Sequence, residues 1–464
     1  MVKWFGGNSN YGGSILKQKM RHWLTIFVIP LLLITTIGTV PAAADTDTKL
    51  GLHVDGAILI DADSGKILYE ENADTPLGIA SMTKMMVEYI LFEAIEEGTI
   101  TWDQEYKVND YTYAISQDSR LSNVPLRADG TYTIEELYEA LAIYSANAAT
   151  IAIAETIAGT ETEFLKLMNA KAEELGLTDY KFVNTTGLNN SDLQGMHPEG
   201  TGTDDENVMP AKSVAKLAYH LLHDFPEVLE TTKVNTKIFR EGTSDATEMQ
   251  NWNFMLPGFV YEYEGVDGLK TGTTDFAGHC FTGTAERDGK RLIAVVMNAV
   301  DSKGVGSYKA RFDATRALFD YGFNQFTEVE LAPAGYEFEE HKTLAVNKGK
   351  SDSAKIALKD PIRMLIKTSD KELYKPELVL DESKLKDGKL EAPAKKETVV
   401  GHVNLVRTEG TDYGFIEENQ AVGEAVLTET VEKAGWFSLT LRAIGAFFVS
   451  IWDGATGFVK GLFS

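Results

Sequence analysis

The chain reads Ile79-Ala80-Ser81-Met82-Thr83-Lys84-Met85-Met86 at the start of a helix that the apolar pattern predicts for residues 81–97. Residues three apart on a helix share a face, so the Ser81 Oγ and the Lys84 Nζ can meet there. A serine hydroxyl becomes a good nucleophile when a base takes its proton. A lysine can be that base when burial and nearby positive charge lower its pKa. Taken alone, the same residues also fit an N-cap serine beside a solvated lysine.

A second polar motif, Ser145-Ala146-Asn147, lies in a segment rich in Ala, Leu and Ile, 135–158, that the pattern predicts to be largely buried helix. Polar groups in such a place need partners. Ser145 can relay a proton between Lys84 and a leaving amine, and Asn147 can donate to and accept from an amide backbone at once. Helix capping is the ordinary alternative for a lone tripeptide of this kind.

The third motif is Lys270-Thr271-Gly272, followed by Thr273, on a predicted strand. Gly272 has no side chain, which lets a ligand approach the strand backbone. Lys270 and the two threonine hydroxyls can hold a carboxylate, and a peptide can lie along the strand as an added strand. A solvated strand lysine is the alternative for this motif alone. Together and in this order, however, the three motifs match the set found in β-lactamases and penicillin-binding proteins, with the second motif as the Ser-x-Asn variant of Ser-Asp-Asn.

With these motifs in place, the sequence resembles the low-molecular-mass penicillin-binding proteins. These are the serine D-alanyl-D-alanine carboxypeptidases, which include the vegetative enzyme of Gram-positive bacilli. The resemblance covers nearly the whole chain. Besides the residues around Ser81, the segments that carry it are 142–149, Met168-Asn169, 174–177, 182–188 and 266–272. Many relatives have Asp where Ala148 stands, a position that is not expected to touch substrate.

The resemblance implies an α/β (α+β) fold of the serine transpeptidase and β-lactamase type. In that fold an antiparallel sheet has flanking helices, and the site lies between the sheet and a helical region. The hydrophobic pattern independently predicts strands at 57–60, 66–69, 268–272, 279–286 and 291–299, and helices at 161–175, 211–223 and 311–321.

The resemblance also implies a mechanism. Ser81 attacks the peptide bond between two D-alanines with Lys84 as general base, and backbone N–H groups of Ser81 and Thr273 form the oxyanion hole. Ser145 passes a proton to the departing D-alanine, Lys270 holds the terminal carboxylate, and water hydrolyses the acyl-enzyme. The substrate is a peptidoglycan stem peptide ending in D-Ala-D-Ala, β-lactams acylate Ser81, and no metal or other cofactor is implied. The expected substrate-binding residues are Asn147, Lys270, Thr271, Gly272 and Thr273.

Composition limits the classes of partner. The 464 residues are 44% hydrophobic and carry a formal net charge of −25. Such a chain can bury a sizeable core, and its acidity argues against nucleic acid, whose binding needs clustered Lys and Arg. Cys280 is the one cysteine of the sequence, so no intrachain disulfide can form. We expect it to be a small buried strand residue.

The two ends differ from the middle. Residues 1–44 combine four basic residues, an apolar run at 23–40 and Pro41-Ala42-Ala43-Ala44, which predicts a secretory signal peptide cleaved after Ala44. A retained membrane helix is the alternative. Residues 431–464 predict an amphipathic helix that anchors the exported protein to the outer face of the cytoplasmic membrane. An ordinary helix packed on its own domain is the alternative.

Between the ends we predict a catalytic domain at 45–327 and a smaller β-rich domain at 328–426. In the second domain the segments become short, and Lys and Glu are frequent. The expected strands there include 342–346, 362–366 and 399–406. The simplest role for this domain is a spacer that holds the catalytic domain off the membrane.

Other functions remain as alternatives. A class A-like β-lactamase deacylates through a glutamate, and no Glu-x-x-Leu-Asn segment follows Asn147. A non-catalytic penicillin-binding sensor has no use for an intact nucleophile and base. An α/β-hydrolase needs a Gly-x-Ser-x-Gly elbow and a zinc peptidase a His-Glu-x-x-His helix. The sequence has neither motif, although His220 and His223 lie one helical turn apart beside Asp224.

Overall fold

The computed structural model describes residues 49–339, 341–418 and 420–462. The predicted signal peptide lies outside the described residues.

An α/β region comes first. Its strands are β1 (Gly56–Asp61), β2 (Ile67–Glu71), β3 (Pro76–Gly78), β4 (Glu105–Lys107), β5 (Thr131–Thr133), β6 (Val208–Pro210), β7 (Thr236–Phe239), β8 (Thr247–Gln250), β9 (Val266–Thr274), β10 (Gly278–Arg287) and β11 (Lys290–Met297). Its helices are α1 (Lys84–Glu96), α2 (Asp110–Ser116), α3 (Ile134–Tyr144), α4 (Asn147–Ala158), α5 (Glu161–Glu174), α6 (Ala211–Asp224), α7 (Val228–Thr232) and α8 (Tyr308–Gln325), with 3₁₀ helices at Ala80–Thr83 and Asn190–Leu193.

The main sheet has the order β2-β1-β11-β10-β9, and each neighbouring pair is antiparallel. The predicted hairpin and three-strand meander are confirmed. Successive side chains on a strand point to opposite faces, so Ile58 and Ile60 enter a helical core while Ala57 and Leu59 enter a core beneath α8. Helix α6 packs on β1 and β11, and α8 packs on β10 and β11. The sheet is therefore covered on both faces, which explains why every residue of β1 is buried.

The helical region packs around α1 and α4, which are buried on nearly all sides and are apolar enough for such burial. Helix α3 begins with a capping box in which the Thr133 Oγ1 accepts from the Glu136 N–H and the Glu136 carboxylate accepts from the Thr133 N–H. The prediction of a single helix over 135–158 is wrong. Ser145, at the end of α3, has φ +60°, in the left-handed region, so the chain turns there and starts again as α4.

The β-rich region follows α8. Its strands are β12 (Thr327–Ala332), β13 (Thr343–Asn347), β14 (Ser353–Leu358), β15 (Ile362–Ile366), β16 (Tyr374–Leu380), β17 (Leu385–Lys386), β18 (Lys389–Glu391), β19 (Val399–Arg407) and β20 (Gly423–Leu427), with 3₁₀ helices at Thr368–Leu373 and Glu382–Lys384. Strands β12 and β15 pair with each other, and the others form a sheet of order β16-β19-β20-β14-β13-β18-β17. The three strands predicted in this region are all present, within a residue or so at each end.

A loop of the β-rich region joins it to the α/β region. Ile416 is 3% exposed and belongs to the helical core of the α/β region. Its N–H donates to the Gly65 carbonyl at 2.8 Å, and the Ile67 N–H donates to the Gly414 carbonyl at 3.0 Å. Lys66 pairs with Asp412 in the same junction. The β-rich region is thus fastened to the α/β region by backbone hydrogen bonds, an ion pair and a buried side chain.

The chain ends in helix α9 (Trp436–Leu462). Its apolar side chains are strongly exposed: Trp436 by 79%, Phe448 by 64% and Trp452 by 71%. The helix is linked to the β-rich region through Arg442, which donates to Asp352 at 2.8 Å and to the Gly349 carbonyl at 3.1 Å. In the part of the chain that the structure describes, no helix has both the length and the apolar character needed to cross a membrane.

Candidate active site

The 3₁₀ helix at Ala80–Thr83, which carries Ser81 and is called the nucleophile turn below, leads directly into α1 at Lys84. This arrangement brings the first predicted pair together. The Lys84 Nζ lies 2.8 Å from the Ser81 Oγ. The same nitrogen donates to the Asn147 Oδ1 at 2.8 Å and to the Thr186 carbonyl at 2.7 Å. Lys84 is completely buried, and burial, reinforced by the positive charge of Lys270, lowers its pKa well below the usual value. These are the conditions under which a lysine acts as a base.

The second motif lies at the break between α3 and α4, and that break brings it to the nucleophile. Ser145 is buried, and its Oγ accepts a hydrogen bond of 2.8 Å from the Lys270 Nζ. The Asn147 Oδ1 is held by Lys84, while its Nδ2 donates to the Ser122 carbonyl at 3.0 Å. The amide nitrogen has a second N–H, and Asn147 is among the residues that line the cleft between these motifs.

The third motif lies on β9, the edge strand of the main sheet, beside the nucleophile turn. Burial lowers the pKa of Lys270, and the negative charge of Glu88 opposes that effect. A β-carbon on Gly272 would lie 2.6 Å from the Ile79 carbonyl oxygen and 3.2 Å from the Met82 nitrogen. The structure therefore supplies a reason for this glycine other than the predicted approach of a ligand: the strand itself passes against the turn that carries Ser81.

Two positions that the motifs do not include help to build the site. The Thr186 carbonyl, which accepts from Lys84, lies in a turn where Gly187 has φ +77°. A β-carbon on Gly187 would lie 1.8 Å from the Ala80 carbonyl oxygen, so only glycine lets this turn approach the nucleophile. Segment 182–188 is one of those that carry the family resemblance, but nothing in its own sequence pattern indicates this role.

The second such position is Arg311 on α8, which the motif analysis missed. It is 1% exposed. Its Nη1 donates to the Gly272 carbonyl at 3.2 Å, the Thr273 Oγ1 at 3.1 Å and the Cys280 carbonyl at 3.0 Å. Burial lowers the pKa of Arg311 to about 10, which leaves the guanidinium charged at neutral pH. The sequence signal is weak: Arg311 is an arginine at the start of the helix predicted for 311–321.

These groups surround one cleft of about 710 Å³. Its lining includes Ser81, Ser145, Asn147, Thr271, Thr273 and Arg311. Aromatic side chains form part of its wall, where Trp252 Nε1 donates to the Tyr144 carbonyl at 3.1 Å and the rings of Trp252 and Tyr308 are 6.2 Å apart. Lys84, Lys270 and Gly272 lie behind the hydroxyl groups. All eight predicted site residues thus converge, with hydroxyl groups facing the cleft and amines buried beneath them.

His220 and His223, the two histidines considered for a zinc site, each lie against one carboxylate. The His220 Nε2 lies 2.8 Å from the Glu417 Oε1 in the junction with the β-rich region, and the His223 Nδ1 lies 3.0 Å from the Asp224 Oδ1. Among the residues that the structure describes, no three His, Cys, Asp or Glu side chains are grouped as they would be around a metal ion. Cys280 is completely buried, as expected of a strand residue.

Comparisons with known proteins identify the family of the chain. Residues 43–301 match the family described as peptidase S11, D-alanyl-D-alanine carboxypeptidase, and residues 326–433 match the C-terminal domain of penicillin-binding protein 5. The D-alanyl-D-alanine carboxypeptidase DacF of Bacillus subtilis is 29% identical over 92% of this chain and 98% of its own. The D-alanyl-D-alanine carboxypeptidase DacA of Escherichia coli is 29% identical over 76% of this chain and 79% of its own.

Solved structures agree as well. A peptidoglycan synthesis regulatory factor, PBP3 of Streptococcus pneumoniae, is 36% identical in sequence to this chain. Its crystal structure superimposes with a TM-score of 0.67 over 82% of this chain and 100% of its own. Penicillin-binding protein 5 of Haemophilus influenzae, 24% identical over 83% of this chain and 99% of its own, has the same fold with a TM-score of 0.63. The predicted fold class and the predicted activity of a serine carboxypeptidase are therefore confirmed. The chain, matched over more than half of its length, belongs to the peptidase S11 family of D-alanyl-D-alanine carboxypeptidases.

Proposed function

We propose that this carboxypeptidase cleaves the D-alanyl-D-alanine bond of peptidoglycan stem peptides with Ser81 as nucleophile and Lys84 as general base. The observation that carries the proposal is the 2.8 Å contact between the Lys84 Nζ and the Ser81 Oγ, made by a completely buried amine whose pKa is lowered. A neutral amine at this distance can take the hydroxyl proton as the oxygen attacks.

The attack forms a bond between the Ser81 Oγ and the carbonyl carbon, and the carbonyl electrons move onto the oxygen. The N–H groups of Ser81 and Thr273 are the proposed donors to this oxyanion, and one such donor is typically worth about 10²–10³ in kcat. The position of β9 at the sheet edge supports the geometry, since an edge strand has backbone groups free to pair with an extended peptide. In this arrangement the peptide lies between β9 and the second motif.

Expulsion of D-alanine breaks the C–N bond and requires a proton on the departing nitrogen. Ser145 is the proposed relay: its hydroxyl, which lines the cleft and accepts from the Lys270 Nζ, gives its proton to the nitrogen and is reprotonated with the proton that Lys84 took from Ser81. The terminal carboxylate of the substrate is proposed to bind near Thr271 and Thr273, with the positive charges of Lys270 and Arg311 behind them. Water then attacks the acyl-enzyme and releases the shortened peptide.

The same steps predict covalent inhibition. A β-lactam presents a strained amide and a carboxylate to the same groups, so opening of its ring leaves an ester on Ser81. The leaving nitrogen stays bonded to the acyl group through the rest of the opened molecule, so it does not depart as D-alanine does. A lasting adduct is expected for a carboxypeptidase, whereas rapid turnover would indicate the β-lactamase alternative.

We also propose that the protein works outside the cytoplasm, on the membrane surface. Residues 1–44 supply the predicted export signal. Helix α9 supplies the anchor, and this is supported by its exposed aromatic side chains and by the link of Arg442 to Asp352 on the β-rich region. An amphipathic helix with large aromatic residues suits the headgroup boundary of a bilayer.

The deciding experiment measures release of D-alanine from a peptide ending in D-Ala-D-Ala, with the wild-type protein and with Ser81→Ala. We expect release only by the wild type, and a penicillin adduct that peptide mass mapping places on Ser81. The rate should fall as pH falls through the lowered pKa of Lys84, because the protonated amine cannot act as a base. Binding of penicillin without any D-alanine release would instead favour a sensor.

A further inference from the structure

A buried carboxylate that the mechanism does not use lies directly behind the catalytic groups. Glu88 is on α1, one helical turn after Lys84, and residues four apart on a helix lie on the same face. Its side chain is 1% exposed. The Glu88 Oε1 is buried without a hydrogen-bond partner among the described residues. Burying a carboxylate without partners is costly, so its presence here calls for a compensating interaction.

The charges that act on Glu88 are those of the two amines of the active site. The Nζ of Lys84 is held by its contacts with Ser81, Asn147 and Thr186, so Glu88 does not draw it away from the nucleophile. Lys270 donates to the Ser145 Oγ at 2.8 Å and to the Thr271 carbonyl at 3.0 Å. Glu88 therefore acts on both amines through space, in an interior where such effects are strong.

The electrostatic effect of Glu88 is not equal on the two lysines. Burial raises the pKa of Glu88, and Lys270 opposes this more than Lys84 does. For Lys270, the carboxylate of Glu88 is the largest influence that raises the pKa against burial, and it outweighs the opposing charge of Arg311. For Lys84, the repulsion from Lys270 outweighs the attraction of Glu88.

Other charged groups close to α1 are engaged elsewhere. Tyr138 on α3 faces Glu88 and is neutral at physiological pH, because burial and the carboxylate raise its pKa well above the usual value. The remaining groups, on α4, α5 and α6, have these partners: Glu155 with Tyr106, Glu161 with Thr185 and Tyr111, Lys171 with Glu93, Asp224 with Tyr89, and Lys216 and His220 with Glu417.

We propose that Glu88 is a positioning residue for the carboxypeptidase reaction: its buried carboxylate holds the positive charge on Lys270, so that Lys84 is the amine that gives up its proton. The proposal rests on the proposed roles of Ser81, Lys84 and Lys270. The single negative charge of Glu88 then favours different protonation states for the two lysines. Glu88 lets Lys270 keep its proton to a higher pH than burial alone would allow, because the carboxylate raises the pKa of that lysine, and Lys84 stays available as a base.

The test compares the pH profile of kcat/KM for D-alanine release in the full chain carrying Glu88→Gln with that of the wild type. Activity needs a charged Lys270, so it is lost as pH rises through the pKa of that lysine. Removal of the Glu88 charge lowers this pKa, and we expect the alkaline limb to move down by about one pH unit or more. On that limb, a one-unit shift lowers the rate about tenfold at a given pH.

Three further variants make the result specific. Glu96→Gln removes an exposed carboxylate from the same helix and should leave the profile unchanged, and Glu88→Asp keeps the charge and should keep the alkaline limb. Glu88→Met removes the charge without introducing an amide, which preserves the test if circular dichroism shows that Glu88→Gln does not fold.

Folded variants of Glu88 whose profiles superimpose on that of the wild type, or whose acid limb alone moves, would overturn the proposal. Absence of D-alanine release by the wild type would instead overturn the roles of Ser81 and Lys84, and this inference with them.

Discussion

The Nζ of Lys270 donates a hydrogen bond of 2.8 Å to the Oγ of Ser145, although the two residues lie on different elements, β9 and the end of α3. A hydroxyl whose lone pair is held by an ammonium directs its own proton elsewhere. The left-handed backbone of Ser145, with φ +60°, places this hydroxyl in the wall of the cleft. The contact therefore gives Ser145 the orientation of a proton donor toward the cleft.

Substitution of Ser145 by Ala is predicted to slow the chemical step more than it weakens substrate binding. Loss of a positioned proton donor costs typically about 10²–10⁴ in rate, so kcat for D-alanine release should fall by that order while KM changes little. Steady-state kinetics with a D-Ala-D-Ala peptide measure both constants. Ser116→Ala, which removes another buried hydroxyl, one that donates to the Tyr113 carbonyl, is the matched control. A variant that raises KM and keeps kcat would assign Ser145 to binding.

Substitution of Gly272 by Ala is predicted to disturb the nucleophile turn. The added β-carbon would lie 2.6 Å from the Ile79 carbonyl oxygen and 3.1 Å from the Ala80 β-carbon, so the strand or the turn must shift. Overpacking of this kind costs about 1–3 kcal/mol, and a misplaced nucleophile slows acylation by about 10²-fold. Chemical denaturation and the rate of labelling by fluorescent penicillin measure the two effects.

The control for this prediction is Gly435→Ala, because a β-carbon there meets nothing within 4 Å. That variant should match the wild type in stability and in labelling rate. If Gly272→Ala acylates as fast as the control, the strand has room to move and the close approach to Ile79 does not matter for catalysis.

The parts of the site that could be predicted are those in which neighbouring residues carry the signal. Ser81 and Lys84 lie three apart in the sequence, on a 3₁₀ helix and at the first residue of α1, and Lys270, Thr271 and Gly272 are consecutive, so spacing alone indicates their chemistry. The same holds for the strands of the meander, whose alternation appears in any short window. Their order in the sheet also follows, since sequential strands joined by short turns pair with each other.

What escaped prediction depends on contacts between distant parts of the chain. Arg311 reaches β9 only because α8 packs on the sheet, and no local pattern separates it from Arg316, the other arginine of that helix. The break at Ser145 contains neither Gly nor Pro, the residues that usually mark the end of a helix, so the sequence pattern predicts one continuous helix across it. Ile416 lies in a loop of the β-rich region, yet it is buried in the core of the α/β region, and its local sequence has no strand or helix period that would indicate burial.

Substitution of Ile416 by Ala is predicted to destabilise the protein without touching the chemistry. The side chain is 3% exposed and packs against the turn at Gly65, and truncation of a buried isoleucine costs about 2–5 kcal/mol. Urea denaturation measures the loss in the free energy of unfolding. The rate of D-alanine release by the folded fraction should stay that of the wild type, because Ile416 is not among the residues that line the cleft.

Ile238→Ala is the control for that prediction, since Ile238 is 43% exposed on β7. Substitutions at such surface positions change stability by less than about 0.5 kcal/mol. An equal loss in both variants would show that burial of Ile416 does not fasten the two regions together.

The last prediction concerns helix α9 and its exposed aromatic residues. Each large apolar side chain moved out of water contributes about 1.5–3 kcal/mol, so replacing Phe448 and Trp452 by Glu should lower partitioning onto lipid vesicles by about 10²-fold or more. Sedimentation with vesicles that contain anionic lipid measures the bound fraction, and D-alanine release in solution should be unchanged. Val379→Glu with Val406→Glu adds the same two charges at exposed apolar positions of the β-rich region and should leave vesicle binding intact. If both pairs of substitutions release the protein equally, net charge governs the attachment and the apolar face of α9 does not.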